Sequence, residues 1–275
     1  MSDRDLRLFD DAVSADDYFN WQKIQPRIKR GEIYSLGRHR LMSGDATCES
    51  DVLKLLDGAK VDLVLTDPPY GMKCQCREGV NGDSKQVKNF GVITRNKPDN
   101  VIIHAKVYPL MAGDDNPDTA RVNYEIVKKL CELQIIWGGQ YFAHFLPVNG
   151  GWIVWDKKNG ANSFSDCELA WKSTGRAVKK YEQMWNGVMR EGSQKLNFKR
   201  RVHPTQKPVE LMVSIMNDFA PQGCLVLDCF GGSGSTLIAA EVSGRRCCMM
   251  ELSEIYCELI IRRYEVLTGT AAKRE

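Results

Sequence analysis

The sequence predicts an α/β fold built on a doubly wound, mostly parallel sheet. Short apolar runs alternate with helical patterns along the chain. One such run passes through a glycine-rich turn into a helix, and another ends in a rigid proline pair. The first twenty residues are polar with several Asp and predict little structure. Ile33–Leu36 and His39–Met42, separated by Gly37-Arg38, read as a hairpin or paired strand. Thr47–Leu56 carries Val52, Leu53, Leu55 and Leu56 at helical spacing, and Gly58 stops it. Val61–Leu65 then makes a buried strand running into Asp67-Pro68-Pro69-Tyr70.

Residues 71–119 read as a long loop or small insert, rich in Gly, Asn, Asp and Pro. A helix over 121–133 feeds the strand Gln134–Trp137. Two further strands follow, Trp152–Trp155 and Cys167–Trp171. The helix Val209–Phe219 precedes the strand Cys224–Asp228. After the glycine turn, the helix Ser235–Val242, strand Arg246–Glu251 and helix Glu254–Leu267 complete the pattern. One domain over 32–267 is expected, with a partly disordered extension over 1–31 and a tail over 268–275.

Bulk composition excludes several classes. No apolar run approaches bilayer length, and the polar, acidic start Met1–Asp5 is not an export signal, so a cytoplasmic protein with no membrane partner is expected. The ten cysteines are scattered, mostly in apolar segments, and read as reduced core thiols; Cys74-Gln75-Cys76 has no second pair at zinc spacing, so no metal site is expected. Net charge is only +3, yet Lys172–Lys207 holds ten Lys or Arg against Glu182 and Glu191. A basic stretch of this kind suits a phosphate backbone, although a solvated charged face has the same composition.

Two constellations carry chemistry. Asp228-Cys229-Phe230-Gly231-Gly232-Ser233-Gly234 joins a strand to a helix, and glycine lets the backbone turn tightly and approach a ligand. The next strand ends in Glu251, placed to accept ribose hydroxyls. Leu237 stands where a dinucleotide fingerprint needs glycine, and no Gly-Lys-Ser/Thr follows. A cofactor with ribose and adenine but no phosphate fits, and S-adenosylmethionine (SAM) is one.

In Asp67-Pro68-Pro69-Tyr70 the prolines fix the backbone and remove two donors. The Asp67 carboxylate and Pro68 carbonyl are left to accept from a ligand amine, and Tyr70 offers a face for a base. Alone, this tetrapeptide is equally a rigid strand-end turn; joined to the glycine turn it reads as a site.

These motifs resemble the β-class amino-methyltransferases of DNA, in particular the small solitary enzymes of phages and prophages. The resemblance covers 32–70, 120–172 and 200–267. It implies a Rossmann-like class I methyltransferase fold with a circularly permuted motif order. A seven-stranded sheet with one antiparallel partner near its edge is expected, with a short target-recognition insert over 172–202. It also implies that Asp67, Pro68, Pro69 and Tyr70 are catalytic. His203–Pro208 matches a cofactor-contacting element, so Thr205 and Lys207 would touch the methionine end. Asp45 would lie beside the adenine, Glu251 on the ribose, and Asp228, Phe230, Gly231, Gly232 and Gly234 around the cofactor. Trp155, Asp156, Lys157, Asn159 and Glu168 would line the target-base pocket.

Within the basic stretch, Lys179, Lys180, Arg190, Lys199, Arg200 and Arg201 are candidate DNA contacts, with Tyr181 and Trp185 interleaved. The activity implied is methyl transfer from SAM to N6 of adenine in duplex DNA with a flipped base, at a short or relaxed site, by a monomer or homodimer. Cytosine N4 is the nearest alternative. RNA or a protein amide fits less well, and an inert DNA-binding module is the alternative from another class. The 71–119 segment would be a lid or a base reader.

Overall fold

The computed structural model describes residues 24–71, 116, 118–148, 150–159, 165–185 and 206–275. Ten strands form one sheet: β1 (Ile33–Leu36), β2 (His39–Ser43), β3 (Leu63–Thr66), β4 (Gln134–Trp137), β5 (Trp152–Asp156), β6 (Cys167–Lys172), β7 (Lys179–Glu182), β8 (Leu225–Asp228), β9 (Arg246–Glu251) and β10 (Lys273–Arg274). Their order is β10-β1-β2-β9-β8-β3-β4-β6-β5-β7. The run β2-β9-β8-β3-β4 is parallel throughout, while β1, β6 and β10 are antiparallel to their neighbours.

Side chains alternate across this parallel centre, as the strand pleat requires. Leu41, Leu63, Leu65, Ile135, Val226, Cys247 and Met249 pack with helices α3 (Val209–Phe219), α4 (Ser235–Val242) and α5 (Glu254–Thr268). Met42, Val64, Leu225, Leu227, Cys248 and Met250 face the other way, onto α1 (Glu49–Leu56) and α2 (Thr119–Val127). The sheet is therefore covered by helices on both faces, which explains why its central strands read as continuous apolar runs. From β8 the chain winds through α4 to β9 on one side, and from β3 through α2 to β4 on the other. The winding reverses between β8 and β3, and ligand crevices open above the carboxyl ends of strands at such a point.

The sheet is larger than the seven strands expected. Its extra members lie at the edges, where short polar strands leave little hydrophobic signature. Lys179-Lys180-Tyr181-Glu182, inside the basic stretch, is β7, parallel to β5; lysines are common on edge strands because they discourage further pairing. At the opposite edge, β10 pairs with β1, and the Glu275 carboxylate takes hydrogen bonds from Arg40 and Ser35. Residues 24–31 are likewise seated on α5. Ile28 is fully buried, and Arg27 bridges Glu258 at 3.0 Å and Glu265 at 2.8 Å.

α2 stops at Val127 rather than running to Leu133. The N–H groups of Lys129, Leu130 and Cys131 bond back to Ile126 and Val127 in turns that deliver the chain to β4. Of the eight described cysteines, all free thiols, six are buried. Among the described residues no helix is long and apolar enough to cross a membrane.

Candidate active site

The glycine turn caps β8. Asp228, at the strand's end, is buried and accepts hydrogen bonds from Thr66 Oγ1 at 2.8 Å and the Phe230 N–H at 3.1 Å. Burial pushes its carboxyl up to about 7, against the opposing hydrogen bonds from Thr236, Phe230 and Thr66. Gly232 and Gly234 adopt φ of +51° and +80°, which glycine tolerates without strain.

Internal packing adds a second requirement for glycine at Gly231 and Gly234. A Cβ on Gly231 would lie 2.9 Å from Met249 Cγ, and one on Gly234 would lie 2.9 Å from Ile260 Cγ1. Both therefore let the turn sit against its own sheet and against α5. The Glu251 carboxylate is fixed by backbone donors, among them the Gly232 N–H to Oε2 and the Ser253 N–H to Oε1, each at 2.8 Å. Burial raises its pKa against these hydrogen bonds.

On the adjacent strand, β3 leads straight into Asp67. Tyr70 donates its hydroxyl to Asp67 Oδ1 at 2.7 Å, and the Lys207 ammonium donates to Oδ2 at 2.5 Å. Lys207 also meets Glu168 Oε2 at 3.2 Å and lies 5.2 Å from the Trp137 ring centroid. Glu168 in turn holds Lys157 through Oε1 at 2.6 Å, and Lys157 lies 5.2 Å from the Trp155 ring centroid.

Burial would lower the Lys207 pKa, but Asp67 and Glu168 outweigh it and hold the ammonium protonated. Burial likewise raises Glu168, but Lys207 and Lys157 bring it down to about 2. Tyr70, raised by burial and by the Asp67 charge, remains a hydroxyl donor. Its ring rests where Gly138 (φ +71°) has no side chain, since a Cβ there would fall 2.2 Å from Tyr70 Cε1. Tyr141 stacks on it at a centroid distance of 4.8 Å.

The two constellations thus share one cleft. It is lined by Asp67, Gln206, Lys207, Met212, Asp228, Phe230–Ser233, Ser235 and Thr236. Gly234, which caps α4, and Glu251, at the end of β9, frame the turn from behind. Asp45 follows β2, one strand beyond Glu251. Its carboxylate accepts from the Thr47 N–H and hydroxyl and lies 3.5 Å from the Arg30 guanidinium.

Of the candidates for the base pocket, Lys157 and Glu168 join the Asp67 cluster. Trp155 is buried, donating its Nε1–H to Gln183 O, and Asn159 donates to Ser165 O. Asp156 accepts from the Lys158 N–H. Lys179 pairs with Asp218 at 2.7 Å and Lys180 with Glu182 at 2.5 Å. Tyr181 also donates to Asp218, at 2.6 Å, and Trp185 is buried in the core. Thr205, Arg190, Lys199, Arg200 and Arg201 lie outside the described residues, as does the segment 72–115.

Sequence reasoning missed Thr66, Trp137, Gly138, Tyr141 and Ser235. Ser235 donates to Lys207 O at 2.7 Å and so ties the lysine's backbone to the start of α4. The available signal was position. Thr66 and Trp137 end β3 and β4, and ligands meet a parallel sheet at such ends.

The chain is similar to known proteins in part of its length. Residues 152–262 match the model of the N6_N4_Mtase family, described as DNA methylase. The chain is 29% identical over 134 residues to Type II methyltransferase M2.DpnII of Streptococcus pneumoniae, covering 48% of this chain and 46% of that protein. It is 37% identical over 71 residues to DNA adenine methyltransferase YhdJ of Escherichia coli K12, covering 26% of this chain and 24% of YhdJ. The matches to these relatives therefore span a quarter to somewhat under half of their length. Among solved structures, the M1.HpyAVI–SAM complex superposes with a TM-score of 0.47 at 21% identity, covering 81% of this chain and 97% of that one.

Proposed function

We propose that this chain, which matches the DNA methylase family model over 152–262, transfers a methyl group from SAM to N6 of adenine in DNA. The observation that carries the proposal is the adjacency of the two constellations. Asp67 follows β3 and the glycine turn follows β8; the strands are paired, and Thr66 and Asp228 are joined at 2.8 Å.

The residues of the cleft fit that cofactor. Glu251 is locked by backbone N–H donors, Gly232 and Ser253 among them, and its carboxylate keeps acceptor capacity for a ribose hydroxyl. Of the charged groups in the lining, the ammonium of Lys207 is already engaged by two carboxylates. A phosphate would find no uncommitted cation among these residues, whereas a sulfonium is compatible with acidic surroundings. Thr205, Lys207 and Asp45 remain proposed cofactor contacts at its methionine and adenine ends. When bound, the cofactor supplies an activated methyl group on its sulfur.

The chain's own residues do the rest. The adenine amine is a poor nucleophile because its lone pair is delocalised into the ring. Asp67 and the Pro68 carbonyl accept its two N–H bonds, drawing the lone pair towards the methyl group. These hydrogen bonds strengthen as the nitrogen becomes tetrahedral, so they stabilise the transition state more than the ground state; the N–C bond replaces the S–C bond, and the nitrogen's surplus proton passes to solvent. Pro69 fixes the turn, and Tyr70 with Tyr141 forms the aromatic wall for a base taken out of the duplex. DNA would be held mainly through phosphates by the basic stretch, giving strong salt dependence and a short or relaxed recognition site.

The deciding test is mass spectrometry of nucleosides from unmethylated DNA incubated with the chain and SAM. N6-methyladenine is the expected product. N4-methylcytosine would keep the mechanism and overturn the base, and neither product would overturn the proposal.

A further inference from the structure

Building on that reading, we propose that Glu168 is a positioning residue. It provides the second partner onto which Lys207 moves when the target amine takes its place at Asp67. Both oxygens of Asp67 carry a donor in this structure, Tyr70 on Oδ1 and Lys207 on Oδ2. Each oxygen keeps a second lone pair, so an incoming amine would share one oxygen with its present donor and crowd that donor. Tyr70 belongs to the same rigid turn and is boxed in by Gly138 and Tyr141. Lys207 is the donor able to move, because its charge sits at the end of a flexible stem.

An ammonium at this depth cannot simply be released. The Lys207 side chain is 5% exposed, and a buried charge stripped of its partner costs several kcal/mol. Its third direction is the Trp137 ring, which attracts a cation but accepts no strong hydrogen bond. Among the described residues, Glu168 Oε2 at 3.2 Å is the other carboxylate in reach.

The construction of Glu168 suits this task. Oε1 is pinned by Lys157 at 2.6 Å, and Lys157 packs over Trp155, whose indole is hydrogen-bonded to Gln183 O at 3.0 Å. One oxygen thus fixes the side chain while the other faces Lys207. Moving Lys207 from Asp67 towards Glu168 transfers no proton and leaves the net charge of the cluster unchanged.

The test is a kinetic double-mutant cycle on the full chain, with Glu168→Gln, Lys207→Met and the double variant. Each is assayed for methyl incorporation into DNA and for cofactor affinity by calorimetry. Glu168→Gln should lower kcat about 10- to 100-fold while shifting cofactor affinity less than threefold. In the Lys207→Met background the same change should have little further effect, because no ammonium remains to be moved.

Undiminished turnover in Glu168→Gln overturns the role. So does a full multiplicative loss in the double variant, which would mean that Glu168 acts on DNA directly or through general stability. If Glu168→Gln melts below the assay temperature, Glu168→Asp restores the carboxylate and should recover most of the turnover; absence of recovery also overturns the role. An unaltered chain that yields no methylated nucleoside would instead overturn the underlying function.

Discussion

Asp228 and Glu168 are carboxyls on opposite sides of one site, and the fold drives them apart. Burial leaves Asp228 without a cationic partner and takes it up to about 7. Glu168 faces Lys207 and Lys157 and is held down at about 2. The two regions are built differently. Around the glycine turn, ligating groups are fixed by backbone N–H donors from residues near in sequence, as with Gly232 and Ser253 on Glu251. Around Asp67, the fixing is done by side chains from elsewhere in the chain: Lys207, and Glu168 with Lys157 from the paired strands β5 and β6 and their ends. The first region forms whenever β8, α4 and β9 fold. The second requires the whole sheet, and it ties the reacting carboxylate to a charge that can move.

If the regions are separable, substitutions should separate their effects. Asp67→Ala should produce the largest, a loss of turnover of about 10²- to 10³-fold or more. Lys207 would keep Glu168 as a partner, so the fold should survive. Cofactor affinity measured by calorimetry should stay within about threefold of the unaltered chain. A loss of affinity as large as the loss of turnover would show that the two regions are one.

Glu251→Ala should give the opposite split. Two buried N–H groups lose their acceptor, and the ribose loses its own. Cofactor affinity should fall by about 10- to 100-fold, on the order of 1–3 kcal/mol. With saturating cofactor, turnover should return close to normal because the Asp67 cluster is untouched. Unchanged affinity in a titration would remove Glu251 from the cofactor site.

This division also sets what could be read from the sequence. The glycine turn, Glu251 and Asp67–Tyr70 are contiguous, and their chemistry is visible in their order. The central strands β3, β4, β8 and β9 were legible because burial on both faces makes them continuous apolar runs. β7 and β10 were not, since edge strands bury few side chains and carry charge. The partnership of Lys207 with Glu168 was invisible for another reason. Residues 168 and 207 lie on separate segments, and no local pattern reports that they meet. Lys179 read as free positive charge because Asp218, its partner, is distant in sequence.

The pKa contrast predicts a pH signature for the glycine-turn region. Asp228 is raised in the folded chain from an ordinary value of 3.8. Its contribution to stability is fully present below about 3.8 and is lost as pH rises towards 7. Glu168 has the reverse sign, and its contribution is complete above about 4.5. Between pH 4.5 and 8, Asp228→Asn should therefore gain stability relative to the unaltered, ligand-free chain, by a few degrees in Tm. Asn retains an acceptor for Thr66 or Phe230, so the comparison isolates the charge. Parallel melting curves across this pH range would mean that Asp228 ionises normally.

The smallest effect should come from Lys179. Its ion pair with Asp218 is largely exposed, at 47% and 36% of the side-chain surface, and pairs of this kind contribute about 0–1 kcal/mol. Lys179→Ala should change stability by less than about 1 kcal/mol. Because Asp218 already neutralises the lysine, its removal should leave the salt dependence of DNA binding nearly unchanged. Lys199, Arg200 and Arg201 have a consecutive run of positive charge in sequence. Replacing one of them with Ala should weaken DNA binding and reduce the slope of log affinity against log salt by about one. A larger loss from Lys179 than from Arg200 in a salt-titrated binding assay would move the proposed phosphate contact onto β7.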